Sequence, residues 1–578
     1  MSEFKLTDPV GTAPVEAPFT QSVSRGVPWH NLPVTREYTL GQLLDQTIAR
    51  CGENDAVVYA DRDYRLTWYE FGEEVDRLAR GLMALGVKRG EKIALWATNV
   101  PHWVVLMFAA AKIGAILLPL NTNYKEHEMD FALTQSDTEN LFIISGYRDC
   151  SYVDVIYTLV PELKDQPRGE LRSAKYPHLR RVMFLGGEKH RGMYSLNEVM
   201  SLAVETPWQD YLDRQAECDV NDVVNMQYTS GTTGFPKGVQ LTHRNIANDG
   251  FWIGACQNLT CRDRVCIPVP LFHCFGCVLG VMSCVNHGAT MVFVEKFDPI
   301  QVMMSIEREK CTAVYGVPTM YISMLDNPLF PKFDFSSLRT GIMSGSACPV
   351  HRMQQVVDRM YMKEVCNPSG LTESGPVMTM TRSFEPSIER KCKTIGQALP
   401  GIEVAIIDPE TGAIAPLNTD GEICCRGFNC MKGYYKMPEQ TDKCIDKNGW
   451  LHSGDIGRMD KDGYYYITGR LKDLIIRGGE NISPKEVEDF LGTMPGVKDV
   501  AVVGCPSKKY GEQPAAFIIP ADGAQLQESD VADFCHNKIS WFKIPKYVHF
   551  MDIFPMTASQ KIQKYKLREL AHELWPDA

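Results

Sequence analysis

The stretch Tyr228-Thr-Ser-Gly-Thr-Thr-Gly-Phe-Pro-Lys-Gly238 contains three Thr, one Ser, three Gly and one Lys within eleven residues. Glycines let main-chain N–H groups approach an anion closely, and hydroxyls add neutral donors. Lys237 supplies a positive charge for polyphosphate. The pattern is not a Walker A loop, because Gly238 stands where that loop has Ser or Thr. We therefore predict a phosphate-binding loop, with a Gly/Ser-rich surface turn as the alternative.

Around this stretch the chain alternates short apolar segments with helical patterns. The segments are 92–97, 115–120, 140–144 and 181–184, followed by 264–269, 290–294, 313–315 and 340–344. Thr67 is a plausible N-cap for a helical pattern that reaches Leu85. Alternation of this kind predicts α/β architecture with parallel sheets.

The pattern changes after residue 400, where 403–407, 421–426 and 463–468 are predicted β segments between turn residues. They predict a β-rich subdomain. A tail follows with a predicted helix at 483–491 and a predicted strand at 499–503. Since 578 residues exceed what one hydrophobic core usually serves, we predict an N-terminal domain at 1–471 and a small C-terminal domain at 472–578.

Bulk composition limits the class of partner. A net charge of -11 gives no general attraction to nucleic acid or to anionic membranes. The apolar stretch 103–120 contains Lys112, Gly114 and Pro119, so it is interpreted as a buried helix running into a strand, with no transmembrane segment. The N-terminus has no apolar signal core, which argues against secretion.

The 19 cysteines are scattered and odd in number, which favours a reducing cytoplasm over a disulfide framework. Cys274-Phe-Gly-Cys277 has the C-x-x-C spacing of a redox pair or of half a metal site. We interpret these two residues as packing cysteines, because no second such pair exists in the sequence. The oligomeric state stays open between monomer and homodimer.

The stretch at 228–238 resembles the phosphate loop of the AMP-forming acyl-activating superfamily, which includes acyl-CoA synthetases, amino-acid adenylation domains and beetle luciferases. The resemblance extends from about residue 35 to residue 570, with its motifs in order. It implies a large N-terminal α/β domain and a small, mobile α+β C-terminal domain. It also implies ATP, Mg²⁺ and coenzyme A as cofactors, and a small carboxylic acid as substrate.

The same resemblance implies that two further motifs contact ATP. Gly370-Leu-Thr-Glu-Ser-Gly375 matches the second signature, in which Thr372 contacts the α-phosphate side and Glu373 holds magnesium. Asp455 would accept both ribose hydroxyls, with Arg470 as the matching contact. The full set of implied nucleotide-binding positions is Thr229, Ser230, Gly231, Thr232, Thr233, Lys237, Gly345, Ser346, Ala347, Ser369, Gly370, Leu371, Asp455, Ile467 and Arg470.

The C-terminal segment 556–564 resembles the one that carries the adenylation lysine, which would be Lys561. It departs from the family pattern, because Gln560 stands where Gly is usual. Lys564 and Lys566 are the alternative lysines. Lys472 occupies the hinge position, and Arg477 opens the segment of the second half-reaction. In that segment Gly478, Gly479 and Glu480 are the implied contacts near the CoA tunnel.

The choice of acid depends on less specific positions. The stretch Leu271-Phe-His-Cys-Phe-Gly276 lacks the Asp that pairs with an ammonium group, so an α-amino acid would leave a buried cation unpaired. His273 either orders the substrate carboxylate, as a catalytic residue, or fills the pocket wall. The candidate pocket positions are His273, Phe275, Gly280, Gly316, Val317, Met343 and Val377.

Gly-Tyr-Tyr-Lys at 433–436 and the segment 561–568 are most similar to medium-chain fatty-acyl-CoA synthetases. We therefore predict a medium-chain or alicyclic acid, with a benzoate-like acid as the alternative. The C-terminus lacks a peroxisomal Ser-Lys-Leu, which disfavours a luciferase. A catalytically silent acyl- or nucleotide-binding relative and a membrane-associated interaction protein are competing hypotheses. The sequence leaves the direction of the reversible reaction open.

Overall fold

A computed structural model describes residues 15–28, 32–229, 236–345, 350–477, 480–507, 510–536, 538–557 and 562–576, without the side chains of residues 480 and 481. The chain forms two compact units. The first consists mainly of Ser24–Val404 and Cys425–Leu451. The second consists of Ala17–Val23, Ala405–Cys424 and His452–Ala578. The division between residues 471 and 472 expected from the sequence stays a prediction.

The described strands are β1 (Val23–Arg25), β2 (Asp55–Tyr59), β3 (Tyr64–Thr67), β4 (Lys92–Trp96), β5 (Ile116–Pro119), β6 (Asn140–Ile143), β7 (Gly146–Tyr147), β8 (Cys150–Ser151), β9 (Arg181–Phe184), β10 (Tyr194–Ser195), β11 (Val223–Thr229), β12 (Lys237–Thr242), β13 (Arg264–Ile267), β14 (Thr290–Phe293), β15 (Ala313–Gly316), β16 (Thr340–Met343), β17 (Glu364–Cys366), β18 (Pro368–Ser369), β19 (Thr379–Met380), β20 (Gln397–Ala398), β21 (Glu403–Ile407), β22 (Gly421–Arg426), β23 (Gly433–Tyr434), β24 (Leu451–Met459), β25 (Tyr465–Arg470), β26 (Ile475–Arg477), β27 (Glu480–Ile482), β28 (Val497–Ser507), β29 (Gly511–Pro520) and β30 (Tyr547–Phe550).

The described α-helices are α1 (Leu40–Cys51), α2 (Trp68–Ala84), α3 (His102–Lys112), α4 (Glu126–Ser136), α5 (Tyr152–Leu159), α6 (Leu196–Ser201), α7 (Trp208–Ala216), α8 (His243–Cys256), α9 (Ser283–His287), α10 (Pro299–Glu309), α11 (Pro318–Leu325), α12 (Val350–Arg359), α13 (Ile388–Lys393), α14 (Pro438–Cys444), α15 (Pro484–Leu491), α16 (Glu528–Cys535) and α17 (Lys564–Leu574).

Two large sheets organise the first unit, and their parallel cores confirm the predicted α/β class. Over the described ranges, one sheet has the order β10-β9-β6-β4-β5-β11-β12-β23 and the other has the order β17-β16-β15-β13-β14-β2-β3. In the first sheet, strands β4, β5, β6 and β9 pair in parallel. In the second sheet, strands β13 to β17 pair in parallel, and β2 pairs in parallel with β14. A small sheet of β18, β19 and β20 carries the connection after β17.

Local signals in the sequence set these elements. Thr67 caps α2 as predicted: its hydroxyl accepts from the Glu70 N–H, while the Glu70 carboxylate accepts from the Thr67 N–H at 2.8 Å. The apolar stretch 103–120 forms α3 and β5, as expected for a buried helix and strand. The buried Lys112 is neutralised there by Asp45 at 2.6 Å and Asp76 at 2.7 Å. None of the helices in the described residues is long and apolar enough to span a bilayer.

The second unit contains the predicted β-rich part and the predicted tail. The β-rich sheet has the order β1-β21-β22-β24-β25. In the tail, β28 and β29 form an antiparallel hairpin, and α16 leads to β30, which runs parallel to β29. The strand predicted at 499–503 is longer, Val497–Ser507, because the ladder with β29 continues past the apolar run to Ser507 and Gly511.

Candidate adenylation site

The quoted stretch 228–238 joins two antiparallel strands. Thr229 ends β11 and faces Lys237, the first residue of β12, across the ladder. Ser230, Gly231, Thr232 and Thr233 lie outside the described residues. The two ends of the predicted phosphate loop are therefore held together by sheet hydrogen bonds, which fixes the position at which Lys237 leaves the loop.

Tyr434 links two of the predicted charged groups. The Lys237 Nζ lies 4.6 Å from the centroid of the Tyr434 ring, a cation–π distance. The Tyr434 hydroxyl donates to the Glu373 Oε1 at 2.8 Å. Tyr434 lies on β23, which pairs with β12 through Val239. The cation of one motif and the carboxylate of another thus contact one phenol.

The electrostatics of this cluster keep the phenol protonated. Burial, reinforced by the Glu373 carboxylate, raises the pKa of Tyr434. Glu373 itself is 9% exposed. A buried carboxylate with a hydroxyl donor on one oxygen needs a further positive partner. Since Mg²⁺ prefers hard oxygen ligands, the Glu373 carboxylate fits the predicted magnesium contact.

The segment that carries Glu373 is tightly constrained. A Cβ on Gly370 would lie 2.2 Å from the Pro376 carbonyl oxygen, so only glycine fits there. The Leu371 N–H donates to the Ser374 Oγ at 3.0 Å, which closes the turn around Thr372 and Glu373. Ser369 pairs with Thr379 in the small sheet. Predicted residues 369–373 therefore form one segment that is held by a turn hydrogen bond and by sheet pairing.

The Cys274 side chain contacts both His273 and Thr372. The Cys274 Sγ is 3.5 Å from the His273 Nδ1 and 3.7 Å from the Thr372 Oγ1. The Phe275 N–H donates to the same Nδ1 at 3.1 Å, which places the proton of the neutral ring on Nε2. An Nε2–H donor is compatible with a carboxylate acceptor, and the carboxylate-ordering role of His273 stays a prediction.

The two cysteines of the C-x-x-C pattern are buried and not joined by a disulfide, which is compatible with the packing interpretation. The Cys277 Sγ accepts from the Gln227 Nε2 at 3.0 Å. Burial raises the pKa of the Cys277 thiol, so it stays protonated and unreactive near neutral pH.

Most predicted substrate residues meet at one edge of the seven-stranded sheet. Gly316 and Met343 are register partners at the carboxyl ends of β15 and β16. A Cβ on Gly345, whose φ is +96°, would lie 3.1 Å from the Val317 Cγ1. The carboxyl edge of a parallel sheet is where α/β proteins bind ligands. Ser346 and Ala347 lie outside the described residues.

Phe275 and Gly280 extend this edge. The Phe275 ring centroid is 6.5 Å from that of Tyr315 on β15. A Cβ on Gly280 would lie 3.1 Å from the Ile267 side chain at the end of β13. Both residues belong to the π-helical turn Phe275–Met282, which is buried throughout. The predicted substrate positions are thus mostly apolar, two of them are glycines, and His273 is the polar member.

Val377, another predicted substrate residue, is held by an aspartate that the sequence did not single out. The Val377 N–H donates to the Asp249 Oδ2 at 2.8 Å. Asp249 on α8 is fully buried, and its Oδ1 has no partner in the described part of the chain. Burial raises the pKa of Asp249 well above its ordinary value. Its position within α8 gave no motif signal.

Replacing Asp249 by asparagine is expected to change how stability depends on pH. An acid with a raised pKa in the folded state destabilises that state as the pH rises above about 4, by about 1.4 kcal/mol per pH unit until it ionises. The asparagine side chain would keep an acceptor for the Val377 N–H without this loss. The melting temperature of Asp249→Asn, relative to that of the wild type, should therefore be higher at pH 8 than at pH 5.

Asp249→Ala provides the comparison: it also removes the titrating acid, but it leaves the Val377 N–H unpaired, so it should be about 1–3 kcal/mol less stable than Asp249→Asn at both pH values. Parallel pH curves for the wild type and Asp249→Asn would contradict the raised pKa.

In the second unit, the predicted ribose contacts are paired. The Arg470 Nε donates to the Asp455 Oδ1 at 2.7 Å, and the two residues face each other across β24 and β25. Ile467 lies on β25 opposite Gly457. Asp455 is buried, whereas about half of the Arg470 side chain is exposed. The structure thus joins an aspartate and an arginine that belong to separate motifs of the sequence.

The hinge and C-terminal predictions are only partly described. Lys472 lies in the 3₁₀ turn Leu471–Asp473, and burial together with Arg470 lowers its pKa. Glu480 pairs with Arg477 through the backbone. Gly478, Gly479, Gln560 and Lys561 lie outside the described residues. Their predicted roles, like those of the other site residues, stay predictions.

The family model described as AMP-binding enzyme matches residues 44–435, and the one described as AMP-binding enzyme C-terminal domain matches 486–561. YngI, a candidate acyl-CoA synthetase of Bacillus subtilis (strain 168), is 48% identical, covering 93% of this chain and 98% of the relative. The mitochondrial medium-chain acyl-CoA ligase ACSF2 of Danio rerio is 38% identical, covering 95% of this chain and 90% of the relative.

Solved structures of other proteins share the fold of this chain. ATP-bound MatB from Rhodopseudomonas palustris superposes with a TM-score of 0.80 at 26% identity, covering 93% of this chain and 99% of that one. The anthranilate CoA ligase AuaEII in complex with anthranoyl-AMP has a TM-score of 0.79 at 26% identity, covering 94% and 98%.

Proposed function

The chain belongs to the AMP-binding enzyme family, and from this premise we propose that it activates a medium-chain fatty or alicyclic acid. It is an AMP-forming acid–CoA ligase that uses ATP, Mg²⁺ and coenzyme A. The carboxylate first attacks the α-phosphorus of ATP, which gives acyl-AMP and pyrophosphate. The CoA thiol then attacks the acyl carbon, AMP leaves, and the thiol proton goes to solvent.

The similarity to medium-chain ligases carries the choice of acid. The ACSF2 proteins of Danio rerio and Homo sapiens, both named medium-chain acyl-CoA ligases, are 38% and 36% identical to this chain over most of its length. The apolar residues at the carboxyl edge of the seven-stranded sheet support this choice, because they offer dispersion contacts and no cation for a second acid group.

The described residues support distinct roles in acid activation. We assign to Lys237 the role of stabilising the negative charge that shifts onto the departing pyrophosphate. Glu373 would hold magnesium, which when bound neutralises phosphate charge, while Tyr434 orients the carboxylate through its hydroxyl. The His273 Nε2–H would donate to the substrate carboxylate near Thr372. Lys561, by resemblance, would bring the carboxylate and the α-phosphate together.

An aromatic acid is the second candidate. AuaEII, which resembles this chain over 94% of its length, is named for an aromatic acid and was solved with anthranoyl-AMP. The Phe275 ring, beside Tyr315, offers a face for stacking on an aromatic acid. Since one methylene shifts discrimination by about 1–3 kcal/mol in such pockets, overlapping substrates are expected.

Pyrophosphate release tests the proposal. The purified protein is supplied with ATP, Mg²⁺ and acids from acetate to decanoate, together with benzoate and cyclohexane carboxylate, each with and without CoA. We expect the highest kcat/KM between hexanoate and decanoate, or with the alicyclic acid, and faster turnover with CoA. A maximum at benzoate would favour the aromatic candidate, and a maximum at acetate would contradict both.

Replacing Asp455 by asparagine should raise the KM for ATP by about 10–100-fold, because hydrogen bonds to a charged acceptor contribute about 1.5–3 kcal/mol. The partner Arg470 would also lose its ion pair at 2.7 Å. Steady-state kinetics with saturating acid measure this effect. Asp420→Asn, which changes an exposed aspartate of the same unit, is the matched control and should leave the KM unchanged. Equal KM values for Asp455→Asn and the wild type would remove Asp455 from the ribose site.

We also propose a cytoplasmic location. None of the 18 cysteines in the described ranges forms a disulfide, which suits a reducing compartment.

A further inference from the structure

Three side chains with metal-binding atoms converge in the β-rich sheet of the second unit. The His452 Nδ1 is 2.7 Å from the Glu422 Oε2 and 3.4 Å from the Cys424 Sγ. One ligand atom from each of these residues lies within 4.8 Å of the other two. Glu422 and Cys424 are buried, while the His452 side chain is 29% exposed. We call this group the Glu-Cys-His cluster.

The sheet explains why these residues meet. Glu422 and Cys424 are two positions apart on β22, so both side chains project from the same face of the strand. His452 lies on β24, the neighbouring strand. The Ser453 Oγ donates to the Ile423 carbonyl oxygen at 2.6 Å, which fixes the two strands beside the cluster. Two ligands from one strand and one from the next thus form a preorganised set.

We propose that the Glu-Cys-His cluster binds one divalent cation of the Zn²⁺ class. Thiolate, imidazole and carboxylate are the ligands that zinc takes in proteins, and three protein ligands leave a fourth position for water. The cation would replace the present hydrogen-bond contacts of Nδ1, and the protons lost from Cys424 and from the Glu422–His452 pair would go to solvent. The partial exposure of His452 provides the entry path.

The surroundings support a metal ligand role for Glu422. Its Oε1 accepts from the Gly454 N–H at 2.9 Å, which orients the carboxylate and leaves Oε2 directed at the cluster. The cluster belongs to the second unit, whereas Glu373, the proposed magnesium contact, belongs to the first unit. The Cys424 thiolate of the cluster would favour a softer ion than Mg²⁺.

The cluster also adjoins the proposed ribose contact. His452, Ser453 and Asp455 share β24, and the Asp455 N–H donates to the Ser453 Oγ at 3.0 Å. A cation that ties His452 to β22 would therefore restrain the strand that presents the Asp455 carboxylate. We expect bound Zn²⁺ to change the KM for ATP, an effect that lies beyond the proposed choice of acid.

Cobalt titration tests the site on the full chain, reduced and freed of metal by a chelator. Co²⁺ bound to a thiolate gives a charge-transfer absorption band, which other ligands do not give. We expect this band to saturate at one Co²⁺ per chain and to be reversed by Zn²⁺. Cys424→Ser should abolish the band, and Glu422→Gln should weaken binding by at least about tenfold.

Cys425→Ser is the matched control, because the adjacent buried cysteine lies outside the cluster and contacts Asn429 instead. It should keep the band and its affinity. Glu422→Gln keeps an acceptor for the Gly454 N–H, so it tests the site even if Cys424→Ser fails to fold, which thermal melts would show. No thiolate band in the wild type, or a band unchanged in Cys424→Ser or Glu422→Gln, would overturn the proposal.

Discussion

Replacing Lys561 by alanine is expected to lower acyl-adenylate formation by about 10²–10³-fold, the typical loss when one aligned stabilising group is removed. By resemblance, this lysine draws the substrate carboxylate and the α-phosphate together against their mutual repulsion. Thioester formation from supplied acyl-AMP and CoA should be retained, because that half-reaction does not need this contact. Pyrophosphate release and thioester formation, measured separately, check the two halves.

Two neighbouring lysines serve as controls. Lys566 is exposed on α17, so Lys566→Ala should leave both half-reactions near the wild-type rate. The Lys564 Nζ is 2.6 Å from the Glu488 Oε1, so Lys564→Ala should affect stability more than adenylation. Selective loss in Lys564→Ala or Lys566→Ala, with Lys561→Ala unaffected, would move the role to that lysine. Equal loss of both half-reactions in Lys561→Ala would contradict its assignment.

The second large effect is expected for Glu373→Gln, which should lower adenylation by about 10²-fold or more. The amide keeps an acceptor for the Tyr434 hydroxyl, now 2.8 Å from the Glu373 Oε1, but removes the charge that a hard cation needs. The loss corresponds to several kcal/mol of charge stabilisation. Pyrophosphate release at increasing Mg²⁺ concentrations should show a higher Mg²⁺ requirement in the variant.

Tyr434→Phe separates the charge of Glu373 from its orientation. It removes the hydroxyl that donates to Glu373 but keeps an aromatic face for Lys237. Loss of one hydrogen bond to a charged group should lower the rate about tenfold, well short of the loss in Glu373→Gln. If Glu373→Gln kept the wild-type rate and Mg²⁺ dependence, Glu373 would not be the magnesium contact.

The sequence predicted the elements that depend on local signals. The capping box at Thr67 and Glu70, the buried run that forms α3 and β5, and the alternation of the parallel strands all follow from spacing along a few residues. Ends of strands were less predictable, because a ladder such as β28 with β29 continues wherever backbone groups find partners.

Contacts between distant segments were not predictable from periodicity. The Gly-Tyr-Tyr-Lys stretch predicts no role for Tyr434 in the site, since the contacts of Tyr434 with Lys237 and Glu373 join segments far apart in the sequence. Asp249 carried no motif at all, and only the fold shows that it holds the Val377 N–H. Side chains that orient other site residues depend on tertiary packing, so they leave little trace in a single sequence.

Tyr434 keeps the Lys237 ammonium and the Glu373 carboxylate from forming a direct ion pair before nucleotide binds. One phenol offers its ring face to the Lys237 ammonium and its hydroxyl to the Glu373 carboxylate, and so acts as an electrically neutral spacer between opposite charges. A direct ion pair between them would have to be broken before either charge could meet its ligand. In the proposed roles, this spacer lets the Lys237 ammonium turn to phosphate and the Glu373 carboxylate turn to a cation independently, without an ion pair between them to break first.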